Sequence, residues 1–109
     1  MYRGTTPTNT INVDLDLTQM TVFVTYSQGG RVIFEKTNSD ITIETEKILV
    51  PLTQADTLAL YAWNRGEPVL VQIRAIDPLG NAVASNIMTT TADAILKDGE
   101  IEYAAPSNI

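Results

Sequence analysis

The residues able to do chemistry in this chain are carboxylates, hydroxyls and a few aromatics, because it contains neither histidine nor cysteine. Those two absences remove the commonest general base, thiolate metal ligands, disulfides and every Ser–His or Cys–His dyad. An enzyme built from this sequence would lean on paired carboxylates. Asp14 and Asp16 are such a pair, and on a strand they would share one face, about 7 Å apart. The pair suits acid–base work or calcium, but exposed Asp on a strand face is more commonly just solvated. Asp77-Pro78-Leu79-Gly80-Asn81 places oxygen ligands at a turn without the Asp/Asn density of a calcium loop. Glu44, Glu46, Asp98, Glu100 and Glu102 read as solvated charges. No catalytic residue, metal site or cofactor is expected.

Binding chemistry has two further candidates. Tyr61 and Trp63, near Arg65, could form a sugar-stacking platform; against this, a single Trp in a small β-domain more often closes the core. Gly29-Gly30 matches no phosphate-binding motif and needs only turn geometry. The net charge of −6 and the scatter of the seven Lys and Arg argue against a phosphate-backbone binder, so nucleic acid is not an expected partner.

Behind these residues stand elements that read as strands. Ile11, Val13, Leu15 and Leu17 alternate with polar residues, as do Met20, Val22, Val24 and Tyr26. Ser27-Gln28-Gly29-Gly30 reads as a hairpin turn before a strand over Arg31 to Lys36, whose inward face is ambiguous between Val32/Phe34 and Ile33. Short strands follow at Ile41–Ile43 and Ile48–Val50, the latter ended or placed at an edge by Pro51. Thr53-Gln54-Ala55-Asp56 resembles a capping box, and Ala55, Leu58, Ala59 and Ala62 have helical spacing, so one short helix is expected over Thr53 to Ala62. Val69 to Ile76 alternates again, and the Asp77–Asn81 turn returns it as a strand over Ala82 to Thr91.

The resulting expectation is an all-β fold, an immunoglobulin-like β-sandwich of about seven strands with one short helix. A single domain is expected over 1–101, with 102–109 as a flexible tail. Val22, Val24, Val71, Ile73 and Ile87 are the expected core. Phe23, Leu70 and Ile76 then point the other way, either towards a partner or towards the underside of the helix. No apolar run approaches the ~20 residues of a membrane helix. The polar start MYRGTTPTNT has no apolar h-region, so neither a membrane segment nor a signal peptide is expected.

Several stretches together resemble small tail-module proteins of phages and prophages of Gram-positive bacteria, related to the N-terminal domain of the phage baseplate upper protein. They are Tyr2-Arg3-Gly4-Thr5-Thr6-Pro7-Thr8, Leu17 to Tyr26 with the Gln28-Gly29-Gly30 turn, and Leu52-Thr53-Gln54-Ala55-Asp56-Thr57-Leu58. Val71-Gln72-Ile73-Arg74, Ser85-Asn86-Ile87 and Ile95-Leu96-Lys97-Asp98-Gly99 follow in similar order and spacing. Baseplate upper proteins carry long C-terminal extensions, whereas this sequence ends at Ile109. The resemblance implies a non-enzymatic virion structural protein of the tail or baseplate, acting through protein–protein contacts in the phage particle or, during assembly, in the host cytoplasm. Its implied partners are other tail or baseplate proteins, or further copies of itself as a homo-oligomer. The competing expectation is a small carbohydrate- or surface-binding adhesion module using Tyr61 and Trp63.

Overall fold

Period-2 alternation becomes strand burial most clearly in two stretches, Thr21–Gln28 and Glu67–Ile76, where every second side chain is buried. The computed structural model describes residues 1–63 and 66–104. It is mostly β-sheet, with eight strands among the described residues: β1 (Thr8–Asn12), β2 (Thr21–Gln28), β3 (Arg31–Thr37), β4 (Thr42–Ile43), β5 (Lys47–Pro51), β6 (Glu67–Ile76), β7 (Ala82–Ala84) and β8 (Met88–Ala92). They form two antiparallel sheets. One has the order β1-β5-β4; the other runs β3-β2-β6, with β7 and β8 both on the far edge of β6.

One apolar core lies between the sheets. Ile11, Ile48 and Val50 come from the smaller sheet, and Val22, Val24, Tyr26, Val69, Val71, Ile73 and Ala75 from the larger. Tyr26 is fully buried and stacks on Phe34 with ring centroids 4.6 Å apart. Its hydroxyl accepts a hydrogen bond from Asn9 Nδ2 at 2.6 Å, so the polar end of the ring is matched across the two sheets. Burial is the main influence raising the Tyr26 pKa; the Asn9 bond opposes it, and the Asp56 charge adds to it.

The β2–β3 hairpin closes through Gly29 and Gly30, both at positive φ (57° and 77°), between the paired residues Gln28 and Arg31. Two consecutive left-handed residues match the twist of the flanking strands, which is why Gly-Gly suits this loop. A bulge in this ladder answers the ambiguity of β3. Phe34 stands opposite Tyr26, Val32 stands opposite Ser27, and Ile33 is the extra residue, so Phe34 faces the core and Val32 faces out.

The helix α1 (Gln54–Ala59) has the expected capping box. The Asp56 N–H donates to Thr53 Oγ1 at 3.1 Å, and the Thr53 N–H donates to the Asp56 carboxylate at 2.8 Å. It ends at Ala59 rather than Ala62. Leu60 turns extended, and the Arg3 guanidinium donates to the carbonyls of Leu58 (2.9 Å) and Leu60 (2.6 Å) while pairing with Asp98. Those carbonyls are satisfied from the N-terminal segment instead of by another turn. Leu60 and Thr57 are buried, and Lys36 Nζ of β3 sits 2.6 Å from the Asp56 carboxylate. α1 therefore packs on the core side, beside β3.

Three further expectations are corrected here. The first strand stops at Asn12 and does not reach Leu17. Asp16 instead accepts from the Thr18 N–H (2.9 Å) and hydroxyl (2.6 Å); these local bonds compete with a ladder and hold its carboxyl below the usual range. Leu15 is consequently exposed, although Leu17 returns to the core. Second, the return strand after Asp77–Asn81 is two strands, β7 and β8. Third, Ile87 is exposed, not core.

The second and third corrections share one cause. The pairs Ile76–Ala82 and Arg74–Ala84 have residue numbers summing to 158, whereas Val71–Met88 and Glu67–Ala92 sum to 159. One extra residue thus lies between β7 and β8. Without it Ile87 would face Val71 and point inward; with it Met88 takes that place, and Ile87 points to the opposite face. Ser85 bridges the interruption: its N–H donates to the Ile73 carbonyl and its hydroxyl accepts the Ile73 N–H.

Candidate functional site

The outer face of the five-stranded sheet carries the side chains that alternate with the core set. Leu70 and Ile76 are exposed there at 39% and 41%, and Phe23 is half-buried. α1 does not cover them, because it lies on the core side.

The three residues do not form one patch. Ile76 pairs with Thr21 and Phe23 with Arg74, so Phe23 and Ile76 are neighbours that line a shallow cleft with Ala82 and Ala84. Leu70 pairs with Ser27, six residues along β6 from Ile76, or about 20 Å at the usual strand rise. It groups instead with Val32 and Ile87 around a recess of about 360 Å³. Sequence alternation leaves the face of Val32 open and assigns Ile87 to the core. The bulge at each one reverses its face, and no residue type signals either bulge.

A polar belt separates the two apolar ends. Thr25 Oγ1 donates to Glu35 Oε2 at 2.8 Å, and Arg74 Nη2 lies 3.7 Å from the same oxygen. The belt has one charge of each sign, both solvent-exposed, so the pair adds little to stability.

Tyr61 and Trp63 follow α1. The buried Gln28 side chain clamps the Tyr61 backbone, donating to its carbonyl and accepting its N–H, each at 2.9 Å. Both rings are exposed, Trp63 at 72%. The expectation that Trp63 closes the core is therefore wrong; Leu60, three residues earlier, is buried there instead. Arg65, the third member of the sugar-stacking candidate, lies outside the described residues, as do 105–109 of the expected tail.

The carboxylates separate by environment. Asp14 and Asp16 are not on a strand, so they do not share a strand face as expected. With Glu44, Glu46 and Lys47 they line an open recess beside the end of β1. Among the described residues no group of three carboxylates is arranged to hold a metal ion. Asp77 is consumed by its own turn, accepting from the N–H groups of Leu79 and Asn81 and from Asn81 Nδ2. The Asn81 bonds are the main reason its pKa is lowered. Burial alone would raise the Asp56 carboxyl, but bonds from Lys36 and Thr53 outweigh it and hold the group low.

Among the described residues no helix is long and apolar enough to cross a membrane. Comparison with protein-family models, curated proteins and solved structures returns no match to this chain.

Proposed function

We propose that this chain is a non-enzymatic assembly module of a phage or prophage tail or baseplate, an immunoglobulin-like sandwich that works through protein–protein contacts. The observation that carries the reading is the uncovered outer sheet face, with apolar residues at both ends and the Glu35–Arg74 pair between them. Several large apolar side chains on one open sheet face are a feature of surfaces that become buried in an assembly. The resemblance of Tyr2–Thr8, Leu17–Tyr26 and Leu52–Leu58 to phage tail modules supports the setting. The absence of His and Cys from the sequence supports a surface role over catalysis.

Its partners are other tail or baseplate proteins or further copies of itself, and its place is the virion or, before assembly, the host cytoplasm. Light scattering on the pure chain and co-purification with tail components test this, repeated with Phe23→Ser and Leu70→Ser. Association lost in either variant supports the reading. A wild type that is strictly monomeric and absent from mass spectra of purified particles refutes it.

A second reading is favoured by one observation. Tyr61 and Trp63 present exposed rings on a backbone fixed by Gln28, as a carbohydrate- or surface-binding module would require. A glycan array with Trp63→Ala as control distinguishes the two: Trp63-dependent binding supports adhesion, and its absence leaves assembly.

A further inference from the structure

A second surface lies where the two sheets part. Among the described residues β1 pairs only with β5, and β8 only with β6. The bonds from the Leu52 N–H to the Pro7 carbonyl and from the Val13 N–H to the Glu46 carbonyl bracket β1. By antiparallel alternation Asn9 and Ile11 also bond towards β5, so the backbone groups of Thr8, Thr10 and Asn12 point away from it. All three are exposed.

The space beside that free edge is a groove. One end is pinned by Tyr2, which bridges Asp93, and by the Arg3 N–H, which donates to the Asp93 carbonyl. From there a cleft of about 420 Å³ runs between β1 and β8, reaching Tyr26 and Val71. A second, of about 310 Å³, continues between the residues after β1 and those of β7. The two share Ile11 and Met88, so they form one channel with an apolar floor. Leu15 and Val83 stand exposed at its mouth.

The mouth is also acidic. Asp14 belongs both to the channel and to the adjoining recess of Asp16, Glu44, Glu46 and Lys47. Four carboxylates there face one ammonium, and Lys47 already pairs with Glu44 at 3.5 Å.

We propose that this groove receives an extended segment of a partner protein, added as a strand on the free edge of β1, with a basic end lying in the acidic recess. Thr8, Thr10 and Asn12 supply main-chain donors and acceptors, and period-2 alternation sends every second side chain of the segment into the channel. Antiparallel addition is the more stable pairing, and the acidic recess lies past the C-terminal end of β1, so the basic residues belong at the N-terminal end of the segment. Charge argues against a second copy as the occupant: the chain has a net charge of −6 and its basic residues are scattered.

The probe is a labelled Lys-Lys-Val-Thr-Val-Thr-Val-Thr peptide, followed by fluorescence anisotropy with the full chain. It is expected to bind about tenfold more tightly than a Glu-Glu-led peptide of the same body, and more weakly as salt rises. Thr10→Pro removes an outward N–H without touching the β5 ladder and should weaken binding about tenfold with the fold retained. If that variant loses its fold, N-methylation of alternate peptide residues removes the same bonds from the other side. Asp14→Asn with Glu46→Gln should abolish the preference for lysine. Leu70→Ser, on the opposite face of the sheet, should leave peptide binding unchanged, so failure here is separate from failure of the assembly reading. No binding, equal binding of both peptides, or indifference to both backbone changes overturns the proposal.

Discussion

Met88 stands opposite Val71 in the β6–β8 ladder, and that pairing turns Ile87 out onto the open face beside the Leu70 recess. A stability comparison tests the register directly. Ile73→Ala, at a nearly fully buried site, should cost about 2–5 kcal/mol through lost transfer energy and a residual cavity. Ile87→Ala should change stability by less than about 0.5 kcal/mol, as surface substitutions do. Urea unfolding of both variants gives the answer; equal costs would mean that the extra residue between β7 and β8 is not there.

Trp63→Ala makes a similar contrast with Leu60→Ala. Trp63 is 72% exposed, whereas Leu60 is 1% exposed within the core. The Leu60 change should cost about 2–5 kcal/mol, and the Trp63 change should stay within about 0.5 kcal/mol. A large loss at Trp63 would return that ring to the core.

Acid should unfold the protein in part through Asp56. Its folded pKa is lowered, so its contribution is fully present above the ordinary carboxylate range and is lost as pH falls through the folded value. Asp16 and Asp77 shift in the same direction. Asp56→Asn should therefore flatten the acid limb of a stability-versus-pH curve. An unchanged limb would mean that the Lys36 and Thr53 bonds do not act on this group in solution. At the same helix end, Thr53→Ala should cost about 1 kcal/mol at neutral pH through loss of the cap.

Gly66 lies where the chain enters β6, and a Cβ added to it would clash with Thr91 Cγ2. Gly66→Ala should destabilise by about 0.5–1.5 kcal/mol, the cost of forcing the exposed Thr91 side chain off its rotamer. Thr91→Ala in the same chain should restore most of the loss. Thermal melts of the single and double variants check this, and a Gly66→Ala chain as stable as the wild type would show that Thr91 moves aside freely.

Local patterns in the chain specify where most strands and the helix begin. Val22, Val24, Val71 and Ile73 were legible as core because strand alternation with period 2 is a local property, and burial follows it wherever a strand is regular. Gly29-Gly30 and Thr53–Asp56 were legible for the same reason: turn and cap chemistry act within four residues. The faces that Val32 and Ile87 occupy depend instead on how their strands pair. A bulge exists only relative to a partner strand, and one inserted residue reverses every face beyond it. Tertiary structure likewise ended α1 at Ala59, where Arg3, more than fifty positions away in sequence, takes the carbonyls of Leu58 and Leu60. The groove beside β1 was invisible for the same physical reason. A free strand edge and the carboxylates at its mouth are brought together by the packing of two sheets, and no local pattern in the chain encodes their meeting.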